Sequence, residues 1–340
     1  MKKYQLCAIG NALVDMEFKV EDSFLDACNI DKGVMTLVEE QRQDELVAAL
    51  EGHPGKWACG GSAANTVIAA AQFGADCFYS CKLAADESGD FYLRDMHAAG
   101  VASNADNGRS AGKTGKCLVM VTPDAERTMN TYLGISEGFS VAELDAEAIA
   151  AADYLYIEGY LVTSPTGRAA AIEAKRLAEA AGVKTALTFS DPAMVQFFKD
   201  GLAEMVGTGV DLLFCNQAEA LAWTNCHDLD LAVEELSKIA KCFAITLGAQ
   251  GALLFDGEQI HQVAPHPITA VDSNGAGDMF AGAFLFALSR GDSFAEAGRL
   301  ASLASAKVVQ SFGPRLLKEQ HAEILAEVFA ELPAANRGSV

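Results

Sequence analysis

The chain predicts an α/β fold: a doubly wound, mostly parallel sheet flanked by helices and carrying a small β-sheet lid. Three observations carry the prediction. From residue 154 onward, short apolar strands alternate with helical stretches, the pattern of a parallel sheet covered on both faces. Residues 104–138 break that pattern with strand-like runs and few helix signals, as a β-rich lobe inserted into an alternating chain would. Near the C-terminus, Gly275-Ala276-Gly277-Asp278 runs into residues 279–288, which are apolar all round and read as a buried helix.

The elements follow in order. Residues 5–9 form a short buried strand ending at Gly10, and 16–20 alternate as a half-exposed one. Residues 33–38 make another strand and 39–50 a helix with acidic residues in its first turn, before a loop at His53-Pro54-Gly55. Gly60-Gly61-Ser62 opens a small-residue helix at 63–73, with Ser62 as a candidate cap and Gly74 as its stop. A strand at 75–81 and a helix at 88–99 follow. In the β-rich stretch, 115–122 and 127–133 flank a turn at Pro123-Asp124-Ala125. After 141–151 the alternation is regular: strands at 154–157, 183–189, 211–215 and 242–247, with helices at 165–181, 193–206, 217–223 and 231–240. Residues 251–255 and 259–263 read as a terminal antiparallel pair, and the last helices are 279–289, 294–310 and 318–332. These elements divide the chain into a large domain (1–14, 39–103 and 134–332), a lid (15–38 and 104–133) and a loose polar tail (333–340).

At 340 residues and 51% hydrophobic content, the chain can bury a large core. Its net charge of −21 argues against nucleic acid and anionic membranes as partners. A phosphate site here must rely on N–H groups, a metal and a few placed Arg or Lys residues. Nine cysteines without a C-x-x-C pair read as reduced, buried thiols of a cytoplasmic protein. No H-E-x-x-H is present, so a zinc site is not expected, and the first apolar run is too short for a leader or a membrane span.

In open parallel sheets, ligands sit beyond the carboxyl ends of the strands. Five polar clusters fall at such ends: Asn11 with Asp15, Gly60-Gly61, Asn216 with Glu219, Gly248 to Gly251, and Gly275 to Asp278. A Gly-Ala-Gly turn at a helix N-terminus offers free N–H groups and the positive end of the dipole to an anion. A carboxylate there, Asp278, is either a helix cap or a base that takes a proton from an attacking hydroxyl. Asn65, a mediocre helix former in a first turn, points to a polar task. Asn216 and Glu219 read as a capping box or, beside a phosphate crevice, as organisers of magnesium. Residues 246–251 are open between an ordinary turn and a nucleotide-facing one. Lys113-Thr114 lacks the upstream glycine of a P-loop, position 107 being Asn107, and no G-x-G-x-x-G follows the first strand, which sets aside a Rossmann dehydrogenase.

Taken together, these residues resemble the ribokinase/PfkB family of carbohydrate and nucleoside kinases. Residues 60–74 look like its first signature, 272–283 its second, 216–219 its N-x-x-E motif and 246–251 its nucleotide-loop turn, in family order over nearly the whole chain. The resemblance implies a ribokinase-like fold and ATP-dependent transfer of the γ-phosphoryl group to a primary hydroxyl, with Mg2+ and, as a candidate, K+. It implies Asp278 as the base, Gly275, Ala276 and Gly277 with Asn274 as the anion hole, and Arg127 as the cation reaching the transferred phosphate. Asn11, Asp15, Gly61 and Asn65 would hold sugar hydroxyls. Asn216, Thr246, Gly248, Gly251 and Asn274 would face the nucleotide. Glu219 would organise magnesium through water, and Asp272 is a candidate ligand of a monovalent cation. Ser273 stands where Thr is more usual. Closure of the lid would exclude water.

Residues 10–15, Phe24-Leu25 and Arg127-Thr128-Met129 look like the adenosine-kinase branch of that family. By that likeness, Met35, Met129, Tyr160 and Leu161 would hold a flat base, with ordinary core as the alternative for each. Met35 and Leu161 depart from the Gln and the stacking Phe of eukaryotic adenosine kinases. That leaves open another nucleoside or a free sugar such as ribose, fructose or a keto-deoxy sugar acid. A non-catalytic nucleotide- or sugar-binding protein on the same fold is the remote alternative, and would need a damaged base or anion hole. The expected state is a monomer or a homodimer paired through the lid.

Overall fold

The computed structural model describes residues 2–330; the end of the last expected helix and the tail at 333–340 lie outside the described residues. The strands are β1 (Tyr4–Ile9), β2 (Leu13–Lys19), β3 (Met35–Leu37), β4 (Gly55–Gly60), β5 (Cys77–Ser80), β6 (Val101–Ser103), β7 (Thr114–Val121), β8 (Arg127–Gly134), β9 (Ala152–Ile157), β10 (Lys184–Thr188), β11 (Val210–Asn216), β12 (Ala240–Thr246), β13 (Ala252–Phe255) and β14 (Ile260–Val263).

Nine of them form the large sheet, in the order β14-β13-β12-β11-β10-β9-β1-β5-β6. Pairing is parallel except for β12–β13 and β13–β14, the antiparallel pair expected from the sequence. Successive side chains of a strand point to opposite faces. Leu6 and Ala8 of β1 accordingly join one hydrophobic cluster, while Cys7 and Ile9 join another. Both faces are buried, which is why the strands read as continuous apolar runs. The order reverses between β1 and β9: the chain runs outward from β1 through β5 to β6 on one side and from β9 to β12 on the other. Such a reversal opens a crevice at the strands' carboxyl ends.

The second sheet has five strands in the order β3-β8-β7-β2-β4. Here the structure corrects the sequence reading. Residues 55–60, expected within the large domain with no strand assigned to them, form β4 and pair antiparallel with β2. Their exposure hid them, since Gly55, Lys56 and Trp57 lie on an open edge with no alternating apolar pattern. β2 also begins at Leu13, before the expected boundary, and a short helix, Asp22–Ala27, lies within the expected lid between its strands. Residues 104–107, at the start of the expected lid segment, form a 3-10 turn.

Two helices bring their N-termini to the crevice, Ser62–Phe73 and Ala276–Ser289. They pack closely because their facing sides carry small residues. A Cβ on Gly282 would stand 2.4 Å from the Thr66 carbonyl oxygen and 2.7 Å from the Ala69 Cβ. Gly282→Val would gain well under about 1 kcal/mol in helix propensity, against an overpacking cost of about 1–3 kcal/mol or more. The clash wins because a backbone oxygen cannot swing aside. The variant is expected to melt several degrees lower in a thermal scan, and an unchanged midpoint would show that the helices can part freely.

Candidate active site

The crevice is organised at its base by Glu158, the residue that follows β9. Its Oε1 accepts hydrogen bonds from the Asn11 backbone N–H at 3.1 Å and from Asn11 Nδ2 at 3.0 Å. Its Oε2 accepts from the Ala63 N–H at 2.8 Å, so one carboxylate ties the end of β1 to the start of the helix Ser62–Phe73. Burial pushes the Glu158 carboxyl up to about 7, with the N–H donors pulling it back. Gly61 precedes that helix at φ 97°, and a Cβ there would lie 2.1 Å from the Asn11 carbonyl oxygen. Only glycine fits. Ser62, read from the sequence as a candidate cap, is instead the first helical residue.

Asp278 is not a cap either. Gly275, at φ 72°, occupies the cap position, and Asp278 is the third residue of the helix. Its Oδ1 accepts from Ser62 Oγ at 2.7 Å and its Oδ2 from Asn65 Nδ2 at 3.2 Å, so the first turns of the two helices meet through this carboxylate. Asn65 is turned by Arg315, whose Nε donates to its Oδ1 at 3.4 Å while Nη1 bonds Asp95 at 2.9 Å. Burial raises the Asp278 carboxyl to about 6, opposed by the Ser62 and Asn65 hydrogen bonds and by Arg127 and Arg315. Burial likewise takes Asp15 to about 7, with Arg315 opposing. Among the described residues, the N–H groups of Gly277 and Asp278 meet no protein acceptor. A Cβ on Gly277 would meet nothing, so the turn leaves both donors and room for an anion.

The small sheet forms the ceiling. Alternate residues of its strands face the crevice: Leu13 and Asp15 from β2, Met35 and Leu37 from β3, Cys117 and Val119 from β7, and Met129, Thr131 and Leu133 from β8. With Tyr160 they enclose about 870 Å3, part of it open to solvent. Arg127 hangs from β8 and its Nη1 donates to Asn274 Oδ1 at 3.3 Å. The opposite end of that amide, Nδ2, donates to Glu17 Oε1 at 2.6 Å.

One cavity therefore gathers Asn11, Asp15, Met35, Gly61, Asn65, Arg127, Met129, Tyr160, Asn274, Gly275, Ala276, Gly277 and Asp278. Leu161 is not among them. On the 3-10 turn Gly159–Thr163 it is 2% exposed and packs into the core while its neighbour Tyr160 faces the cavity. Asp272 is fully buried, and its two oxygens accept the Asn274 and Gly313 N–H groups, each at 2.9 Å, so it braces the loop. The residues expected from the sequence to face a nucleotide lie further along the carboxyl edge of the large sheet. Asn216 and Thr246 end β11 and β12 side by side in register. Asn216 caps the helix Gln217–Thr224, and Glu219 closes the capping box through Asn216 N at 2.9 Å and Nδ2 at 2.7 Å. Burial lifts the Glu219 carboxyl to about 7. Gly248 (φ 57°) borders open space, whereas a Cβ on Gly251 would strike the Val263 carbonyl oxygen at 2.0 Å. Among the described residues, no cluster of three His, Cys, Asp or Glu side chains could hold a metal by itself. A divalent ion would need phosphate and water oxygens as well, the habit of magnesium.

Sequence reasoning missed four residues here: Glu17, Ser62 as a donor, Glu158 and Arg315. Glu158 had a signal, as a carboxylate directly after an apolar strand at a carboxyl end.

The family model described as pfkB family carbohydrate kinase matches residues 26–321. This chain belongs to the pfkB family. The solved adenosine kinase of Sinorhizobium meliloti is 34% identical, with a TM-score of 0.88 over 95% of this chain and 100% of that one. A probable sugar kinase from Rhizobium etli is 32% identical, with a TM-score of 0.90 over 96% of this chain and 100% of that one. The adenosine kinase of Schizophyllum commune is 29% identical over 93% of this chain and 97% of its own length. As a pfkB kinase, the protein is a phosphotransferase with an alcohol group as acceptor, acting on a nucleoside or sugar with ATP and Mg2+. Among the described residues, no helix is long and apolar enough to cross a membrane.

Glu17, only 2% exposed, yields a stability prediction. Burial raises its carboxyl to about 8, whereas an unfolded Glu titrates near about 4.3. The folded chain thus holds a proton that the unfolded chain releases. Stability from this group is full below about 4.3 and is lost as pH rises through about 8. Glu17→Gln should therefore melt higher than the wild type at pH ~8.5, and the gap should narrow at pH ~5.5. A gap that does not change with pH would mean that Glu17 is ionised throughout.

Proposed function

We propose that this chain transfers the γ-phosphoryl group of ATP to the 5′-type hydroxyl of a nucleoside, with adenosine-like nucleosides favoured. The observation that carries the reading is the two-sided cavity. One end is polar, with Asn11 and Asn65 from the floor and Asp15 from β2, and the rest of the ceiling is largely apolar, with Met35, Leu37, Val119, Met129 and Leu133. A nucleoside has those two halves, a diol for the carboxylate and a flat base for the apolar wall. A free sugar would leave the ceiling unmatched. The Sinorhizobium meliloti adenosine kinase, similar over its whole length, supports the nucleoside reading, and the Rhizobium etli probable sugar kinase keeps the free-sugar reading alive.

In this reading Asp278 is the base. With its carboxyl near 6 it is mostly ionised at neutral pH and still basic enough to take the hydroxyl proton as attack proceeds. Ser62 and Asn65 hold it in place while leaving it open to the cavity. Arg127 and the N–H groups of Gly277 and Asp278 would meet the charge that develops on the transferred phosphoryl oxygens. Magnesium, when bound, neutralises phosphate charge. Glu219 and Asn216 would hold its water shell, and Thr246, Gly248 and Gly251 would flank the nucleotide. Asp272 is a candidate neighbour of a potassium ion through the loop that it braces.

Asp278→Asn is expected to lower kcat about 10³-fold while nucleoside binding, measured by calorimetry, stays within about threefold. In the wild type, kcat should fall about tenfold per pH unit below about 6, because the base must be ionised. A mutant with normal turnover would remove Asp278 from the mechanism. The substrate reading is tested by ADP release with Mg-ATP against adenosine, inosine, guanosine, cytidine, ribose, fructose and 2-keto-3-deoxygluconate. Turnover on a nucleoside alone is expected, and turnover on a free sugar alone would overturn the proposal.

A further inference from the structure

Glu17 stands two residues beyond Asp15 on β2, so both carboxylates leave the same face of the small sheet. In register it lies beside Val119, which in turn lies beside Met129, in the apolar ceiling. A buried carboxyl in such surroundings is costly unless it is hydrogen-bonded. Its bond is to Asn274, the residue that leads into the anion-binding turn. Asn274 is held at three points. Its backbone N–H donates to Asp272 at 2.9 Å, its Nδ2 donates to Glu17 at 2.6 Å, and its Oδ1 accepts from Arg127 at 3.3 Å. Two of the three come from different strands of the small sheet.

An amide has one donating and one accepting end, a guanidinium only donates, and a carboxyl that holds its proton still offers a carbonyl oxygen as acceptor. With Glu17 on the NH2 end, the carbonyl end must face Arg127. The flipped amide would set NH2 against the guanidinium, a repulsive contact in place of a hydrogen bond. Contacts beside this bond draw the same edge of the small sheet to the chain at 312–313. Lys56 Nζ donates to the Phe312 carbonyl oxygen at 2.9 Å, and the Lys19 and Lys56 ammonium groups lie 5.0 and 5.5 Å from the Phe312 ring centre. At Gly313, a Cβ would come within 3.1 Å of Glu17 Oε2.

We propose that Glu17 is a positioning residue for phosphoryl transfer: by fixing the Asn274 amide, it sets Arg127 over the anion-binding turn and ties that charge to the seating of the lid. The inference rests on the phosphate-side reading of Arg127 given above. Glu17 touches no reacting atom and acts through Asn274.

The test is steady-state kinetics on Glu17→Leu, Glu17→Gln, Arg127→Ala and the double variant Glu17→Leu/Arg127→Ala, each with a thermal melt. Glu17→Leu should lower kcat about tenfold or more with nucleoside KM within about twofold, and should melt close to the wild type because an apolar side chain replaces a polar one among apolar neighbours. Glu17→Gln keeps an oxygen for Nδ2 and should recover most of the lost kcat. The double variant should be no slower than Arg127→Ala alone, since both changes remove one device. A wild-type kcat in Glu17→Leu, losses that multiply in the double variant, or a well-folded Glu17→Gln as slow as Glu17→Leu would each overturn the proposal. Should Arg127→Ala itself turn over normally, the reading of Arg127 fails first and this inference with it. A slow Arg127→Ala beside a normal Glu17→Leu overturns the Glu17 role alone.

Discussion

Two helix N-termini meet at the end of β1, and the closeness of that meeting is what the rest of the site depends on. Glycine at 282 lets Ala276–Ser289 lie against the Thr66 carbonyl, and glycine at 61 lets the chain pass the Asn11 carbonyl. Only at that separation can Ser62 and Asn65, on one helix, reach Asp278 on the other. Each helix end carries a positive partial charge, so the carboxylate sits where two such charges converge. Its ionised form is supported without a direct salt bridge, which would have quenched its basicity.

That arrangement answers a problem set by composition. A chain of net charge −21 must still draw polyphosphate into a crevice lined by Asp15, Glu158 and Asp278, with Glu17 buried on the same strand as Asp15. Burial raises all four carboxyls, so the crevice is less negative than its residues suggest. Two guanidinium groups have separate tasks. Arg315, tied to Asp95, steadies Asn65 from behind, while Arg127 reaches the turn from the lid. The remaining positive potential comes from backbone N–H groups, which add no net charge and need no counter-ion.

What was legible in the sequence was what depends on neighbours in sequence. The alternation of strands and helices, the antiparallel pair at the end of the large sheet, and the glycine turn ahead of an all-apolar helix are local patterns, and each appears in the structure. The site residues drawn from those patterns largely share one cavity. What was not legible depends on distant partners. Glu17 meets Asn274 257 residues away, Arg315 meets Asp95 220 residues away, and Glu158 meets Asn11 across 147. Before the fold is known, a buried acid on a strand looks like any surface acid. Leu161 failed for a different reason: on a 3-10 turn adjacent residues point apart, so Tyr160 faces the cavity and Leu161 the core. β4 failed because an edge strand need not alternate.

The small sheet is assembled from separate passages of the chain: Leu13–Lys19, Met35–Leu37, Gly55–Gly60 and the hairpin of β7 and β8. Between β4 and β7 the chain returns to the large sheet for β5 and β6, so no single stretch encodes the ceiling of the cavity alone. It cannot be exchanged as a cassette between relatives, because any segment long enough to carry it would bring the floor along. A change of acceptor must therefore come through individual side chains on its inner face, where period-two alternation lets one residue be replaced without disturbing its outward neighbours.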